Sequence, residues 1–166
     1  MINDPDHRQH SHGQHDHGAC VATALRQAEA VCARNGAKLT PLRRRVLELV
    51  WSNHKPHGAY ALLEALEKEA AKKVAPLTVY RALDFLVELG LAHRIESLNA
   101  YLGCCAPDGG HAGQFLVCER CGCAVEIDDP AIKSTISETA AARGFVVHRQ
   151  TIEISGLCRA CQESAP

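Results

Sequence analysis

The sequence predicts an α+β protein built as two small domains, and three observations predict it. Apolar residues recur at helical spacing through the first half, between Val21 and Val87. Short runs rich in β-branched residues flank one helix in the second half. Two Cys-x2-Cys pairs, Cys118/Cys121 and Cys158/Cys161, bracket that second half. A chain of 166 residues is long enough for one or two such domains, each burying its own core.

The elements follow in order. Met1 to Gly18 holds His7, His10, His12, His15 and His17 among polar residues, so it reads as a disordered tail. Val21 to Arg34 forms a helix with Leu25, Ala28 and Val31 on one face, stopped by Asn35-Gly36. Thr40 caps a second helix whose first residue is Pro41 and whose apolar face is Leu42, Val46, Leu49 and Val50. Asn53 to Gly58 breaks the pattern. A third helix runs from Ala59 to Ala70, with Leu62, Leu63 and Leu66 inward. Pro76 and Thr78 open a fourth helix, with Val79, Leu83, Leu86 and Val87 apolar and Gly90 at its end. Arg94 to Ser97 and Ala100 to Gly103 then form a small hairpin around Leu98-Asn99. Gln114 to Cys118 and Ala124 to Ile127 read as strands. Asp129-Pro130 starts a helix that ends at Gly144, and Phe145 to Ile154 reads as a last strand. The expected division is a tail over 1–18, one domain over 19–99 and a second over 100–166.

Helix, turn, helix and hairpin is the order of a winged helix-turn-helix, whose second motif helix enters the DNA major groove by its N-terminal residues. Here those residues are Thr78, Tyr80 and Arg81. Arginine bonds guanine or phosphate, and tyrosine reaches phosphate or a thymine methyl. The alternative is a plain helical bundle with an arginine on its wet face. The run Arg43-Arg44-Arg45 has the same two readings, phosphate contacts or a solvated face.

The formal net charge is -1, but it is unevenly spread. Lys38 to Ser97 holds ten basic and seven acidic residues, and Ala100 to Pro166 holds five basic and eight acidic ones. A surplus of three charges does not by itself indicate nucleic-acid binding. Aromatic residues make up 4%, which argues against a base-stacking platform. No run approaches the roughly 18 apolar residues of a membrane helix, and the His-rich start lacks a signal-peptide core. A cytoplasmic protein is expected.

Nine cysteines is a high and odd count, which favours metal or thiol chemistry over a closed disulfide framework. Four thiolates from two Cys-x2-Cys pairs make a closed tetrahedral zinc site. The 36 residues between the pairs hold a helix and a strand that can return the chain. His93, Cys104, Cys105, His111, Cys123 and Glu126 are a second pool of ligand types. Imidazole, thiolate and carboxylate together suit zinc rather than a hard ion. Against this, Cys104 and Cys105 read equally well as small buried apolar residues.

The sequence resembles the Fur family of bacterial metal-dependent repressors, and within it the zinc uptake regulator branch, Zur. The resemblance lies in Leu39-Thr-Pro-Leu-Arg, Thr78-Val-Tyr-Arg-Ala-Leu-Asp-Phe-Leu, Gly90-Leu-Ala-His-Arg-Ile-Glu-Ser, Cys118-x2-Cys121-Gly and Gly156-Leu-Cys158-x2-Cys161. It implies a winged-helix DNA-binding domain followed by an α/β dimerisation domain. It also implies structural zinc on Cys118, Cys121, Cys158 and Cys161, and sensory zinc on His93, Cys104, His111 and Glu126, two zinc ions per monomer. Tyr60, Tyr80 and Arg81 would face DNA, joining Thr78 from the helix-turn-helix pattern, with an A·T-rich pseudo-palindromic operator and a second copy of the chain as partners. The implied function is zinc-dependent repression of zinc-uptake genes.

Rival readings are an iron- or peroxide-sensing repressor of the same fold, a zinc-buffering protein and a thiol-redox enzyme. Gly110-His-Ala-Gly-Gln-Phe lacks the His-rich run usual in the iron branch, and Cys104 departs from the nitrogen and oxygen ligands of the peroxide branch. Cys105 leaves the thiolate position open by one residue, and Cys123 has no role that the resemblance supplies. No nucleophile-base-orienter set is apparent, so hydrolase chemistry has no support.

Overall fold

The computed structural model describes residues 17–53, 55–70, 73–107, 113–148 and 150–164. Four helices come first: α1 (His17–Arg34), α2 (Pro41–Val50), α3 (Ala59–Ala70) and α4 (Pro76–Glu88). A two-residue strand, β1 (His57–Gly58), precedes α3. β2 (Ala92–Ile95) and β3 (Ala100–Gly103) then form the wing, joined through a 3-10 turn over Glu96–Leu98. The second half holds β4 (Gly113–Cys118), β5 (Ala124–Ile127), α5 (Pro130–Ala141), β6 (Thr151–Gly156) and α6 (Arg159–Glu163).

Local chemistry accounts for the boundaries. The Thr40 hydroxyl accepts from the Arg43 N–H and caps α2, with Pro41 at its first position. Asp129 does the same for α5, accepting from the Ala131 N–H at 2.8 Å. Asn99 closes the wing turn in the left-handed region (φ 46), where an asparagine costs little. Gly90 (φ 68) turns the chain from α4 into β2.

Two sheets of three strands result, ordered β1-β3-β2 and β5-β4-β6. The first is antiparallel, with Arg94 opposite Tyr101. In the second, β4 pairs antiparallel with β5 and parallel with β6. Val46, Leu47, Val50, Leu62, Val79, Leu83 and Leu86 lie in the first core with Ala28 and Val31 of α1. Cys32 is buried in the same core. A smaller second core joins the two sheets, with Ile95 and Leu102 from the wing and Phe115, Val117 and Ala124 from the second half. Full burial of one such side chain contributes about 1.5–3 kcal/mol.

The fold class matches the expectation, and the elements differ in five places. The first wing strand is Ala92–Ile95 rather than Arg94–Ser97, because Glu96–Leu98 turn as a 3-10 helix. α1 starts at His17, inside the segment expected to be tail. β1 was not expected; it forms because His57 and Gly58 lie opposite Tyr101 and Ala100 on the free edge of β3. The last strand starts at Thr151 rather than Phe145. β4 is six residues long and its register runs from Gly113↔Thr151 to Cys118↔Gly156, so the strand does not extend back to Phe145. Phe145 and Val146 are exposed accordingly. Helix α6 was also not expected; it is one short turn past Cys158.

Gly103 fixes the wing against the helices. A Cβ there would lie 2.3 Å from Trp51 Cε2, inside the indole ring. Trp51 is buried among α2, α3 and α4, so the ring cannot yield. Gly103→Ala is expected to destabilise the protein by about 1–3 kcal/mol through overpacking, read as a melting temperature lower by roughly 2–12 °C.

Candidate metal centres

His93 lies on β2, Cys104 just past the end of β3, and Glu126 on β5. One ligand atom from each falls within 4.8 Å of the others. The chain brings them together by register. His93 faces Leu102 across the wing, and Glu126 faces Phe115 across the second sheet. The imidazole of His93 sits edge-on to the Phe115 ring, centroids 5.1 Å apart, and its Nε2 lies 2.8 Å from Glu126 Oε1. Both side chains are mostly buried, at 16% and 11% exposure. The Cys104 N–H donates to the Leu91 carbonyl, and its thiol is buried. Neighbouring Cys105 is exposed, so geometry separates the two cysteines that spacing could not. A Cβ at Gly113 would meet Phe115 at 2.9 Å and His93 Nδ1 at 3.5 Å, so only glycine lets the chain pass here. His111, the fourth ligand of the expected sensory set, lies outside the described residues. A buried imidazole, thiol and carboxylate that converge fit a zinc ion well.

The second cluster closes the far end of the β5-β4-β6 sheet. The sulfurs of Cys118, Cys121, Cys123 and Cys158 lie within 4.8 Å of one another. Cys161, on α6, is buried, and its thiol contacts those of Cys158, Cys121 and Cys118. Gly122 (φ 67) folds the turn so that the Cys118 N–H reaches the Cys123 carbonyl and the Gly122 N–H reaches the Cys118 carbonyl, both at 2.9 Å. The Cys158 N–H donates to Cys118 Sγ at 3.4 Å. Backbone N–H groups of Cys158 and Cys121 pull the Cys118 thiol down to about 5, so it is a thiolate at neutral pH. Burial, then the neighbouring thiols, push Cys161 up to about 12. An all-sulfur cluster with one pre-formed thiolate suits a tetrahedral zinc site. Cys123, which had no role in the sequence reading, belongs to this cluster. The signal was available: Cys121-Gly-Cys123 places it beside the first pair.

One further contact joins the two halves. Glu153, on β6, accepts from the backbone N–H groups of Glu96 at 2.7 Å and Ser97 at 3.0 Å, at the start of the wing turn. Burial pushes the carboxyl up, but the Ser97 and Glu96 donors outweigh that and hold it below its ordinary value.

The expected DNA-facing residues lie at the N-terminal ends of α3 and α4. Thr78 and Arg81 are exposed on the first turns of α4, Tyr60 is exposed at the start of α3, and Tyr80 is half-buried against the core. No side chain caps α4 at Ala75. Arg43-Arg44-Arg45 is spent on internal clamps. Arg43 stacks 3.5 Å over the Phe85 ring, Arg44 pairs with Glu29 of α1, and Arg45 Nε donates to Glu69 of α3 at 2.7 Å. These pairs leave Arg81 as the candidate base reader.

The Ferric uptake regulator family matches residues 34–155. The chain belongs to that family. It is 41% identical to the zinc uptake regulation protein of Escherichia coli K12 over 140 residues, 84% of this chain and 81% of the relative. A zinc uptake regulator complexed with zinc and DNA superposes with a TM-score of 0.81 at 38% identity, covering 86% of this chain and 95% of that one. Holo XcZur superposes at 0.77 with 42% identity and apo XcZur at 0.51 with 41%, covering 86% of this chain each time and 99% and 97% of theirs. Sequence likeness is nearly equal in the last two, so the gap is one of conformation. This Fur-family chain adopts an arrangement close to the holo form.

The Glu153 contact generates a pH prediction. A carboxyl held below its unfolded value of about 4.3 stabilises the fold above that pH, and the stabilisation is lost as pH falls through the folded value. Glu153→Gln should lower stability at pH 7 by about 0.5–1 kcal/mol, after solvent screening. The difference from the unsubstituted protein should close below about pH 4 in thermal melts. A difference that persists in acid would remove the carboxylate from the latch.

Proposed function

We propose that this protein is a zinc-responsive DNA-binding repressor of zinc-uptake genes, working as a homodimer. The observation that carries the reading is the convergence of His93 from the wing with Cys104 and with Glu126 of the second sheet, inside 4.8 Å. The expected boundary at 99/100 falls inside the wing, because β3 pairs with β2; the winged-helix domain would extend through Gly103, with the dimerisation and metal-binding domain after it. His93, Cys104 and Glu126, with His111 as the fourth ligand, would hold the sensory zinc. The Cys118–Cys121 and Cys158–Cys161 pairs would hold a structural zinc, giving two per monomer. Bound zinc would supply a dication that offsets the buried thiolate and carboxylate. Thr78, Tyr80 and Arg81 of α4, with Tyr60 of α3, would meet the DNA. Such a regulator acts in the cytoplasm, and no helix among the described residues is long and apolar enough to cross a membrane.

Dimer formation has its own support. Leu116 of β4 is exposed and lies opposite Val125 of β5 and Ile154 of β6, also exposed, so an apolar row crosses the second sheet. Helix α5 buries none of its residues. An uncovered apolar row on so small a sheet suits a second copy of the chain.

His93 and Glu126 belong to different domains, so holding both to one point fixes α4 relative to the dimer face. In a dimer that sets the separation of the two recognition helices, which must match half-sites about one DNA turn apart. Metal and DNA then favour the same conformation, and each raises the affinity for the other by the same factor.

Anisotropy of a labelled A·T-rich palindromic duplex across buffered free zinc tests this. Affinity should rise by roughly 5–150-fold with zinc and not with iron. Cys104→Ser should keep the fold and the C-terminal zinc but lose that rise. Arg81→Ala should keep it while cutting the preference for operator over random duplex by about tenfold or more. A zinc-independent affinity in the unsubstituted protein would overturn the reading.

A further inference from the structure

Cys123 stands out as the one thiol of the C-terminal cluster that the function above leaves idle. Strands β4 and β5 pair in a register that runs from Gln114↔Ile127 to Val117↔Ala124. One step further, Cys118 falls opposite Cys123, and the Cys118 N–H bonds the Cys123 carbonyl at 2.9 Å. Directly opposed residues in an antiparallel pair put their side chains on the same face. The Cys123 thiol therefore points where the Cys118 thiol points. Its sulfur lies within 4.8 Å of those of Cys118, Cys121 and Cys158. Cys161 contacts the same three sulfurs from α6. Cys118, Cys121 and Cys158 are thus approached by two further sulfurs, Cys123 within the 4.8 Å group and Cys161 in contact with the same three.

We infer that Cys123 is a fifth ligand of the C-terminal zinc site, exchanging with Cys161 for the fourth coordination position. Tetrahedral zinc takes four thiolates, so one of the two waits as a thiol. In the exchange one Zn–S bond forms to Cys123 as the bond to Cys161 breaks, and the Cys123 proton passes to the departing Cys161 sulfur. No electron is transferred. The three shared cysteines sit on the β4–β5 turn and at the end of β6, whereas Cys161 sits on α6, a helix of five residues. A helix that short has little stability of its own. Exchange keeps zinc tetrathiolate when α6 frays, and it releases α6 without releasing the metal. The inference rests on the reading of this cluster as a zinc site.

Cobalt(II) substitution of the full-length dimer tests it, because sulfur-to-cobalt charge-transfer absorption scales with the number of thiolates bound. A Cys104→Ser background removes the thiolate of the other site. In that background the parent protein should show the four-thiolate absorption. Failure there would overturn the zinc-site reading itself rather than the exchange. Cys161→Ser and Cys123→Ser should each keep the full absorption and one cobalt per chain at the sulfur site. The double variant should lose about a quarter of it. A Cys161→Ser variant that already loses that quarter, with no further loss on adding Cys123→Ser, would overturn the exchange.

Alkylation of the unsubstituted protein, with and without zinc, needs no variant to fold. Zinc should slow modification of both Cys123 and Cys161. Protection of Cys161 with an unchanged rate at Cys123 would overturn the proposal equally.

Discussion

Phe115 is fully buried at the seam of the protein, and the imidazole of His93 rests against its ring edge. That contact is the constraint on which the rest is arranged. Ile95 and Leu102 reach the ring from the wing, and Val117 and Ala124 flank it from the second sheet. The two sheets therefore share one small core, and the three ligand-type side chains converge beside it. Glycine at 113 is required by the same crowding. A handful of buried apolar residues brings the halves together at about 1.5–3 kcal/mol each.

The charges divide the labour in the helical half. Arg44 and Arg45 pair with glutamates of α1 and α3, and Arg43 covers Phe85 of α4, so α2 is tied to each of the other three helices. Exposed pairs of this kind contribute about 0–1 kcal/mol each, less than the core beneath them. They commit three arginines of the helical half, whereas Arg81 stays exposed on the first turns of α4. The C-terminal half has the opposite character: an apolar row on its sheet, a helix with nothing buried, and a sulfur cluster that ties the end of β6 to the turn between β4 and β5. One half is finished and presents a helix, while the other is completed by what covers and crosslinks it.

Much of this was legible in the residues. The caps at Thr40 and Asp129, the apolar periodicity of α2 to α4 and the turn glycines mark their elements because each acts locally. Phe145 to Gln150 misled for a physical reason: β-branched composition describes a strand, but only the six residues opposite β4 find one. β1 escaped notice because two residues carry no period, and pairing with the edge of β3 alone defines it. At the candidate sites, ligand types were visible and geometry was not. Spacing could not rank Cys104 over Cys105, which burial does, nor assign Cys123, which the β4–β5 register does. The arginine run had two readings on composition, and its partners Glu29, Glu69 and Phe85 lie too far along the chain for a local pattern to reveal.

The central claim is that His93, Cys104 and Glu126 hold the two domains in one orientation when zinc is bound. The most direct test is the distance between domains in solution, measured by pulsed electron resonance between spin-labelled unnatural residues on α4 and α5. The comparison is between protein carrying only the C-terminal zinc and protein with both sites filled. A broad distribution that narrows to one distance on filling the second site is the result this account predicts. The same narrow distribution in both states would contradict it, because the arrangement would then be fixed without the metal.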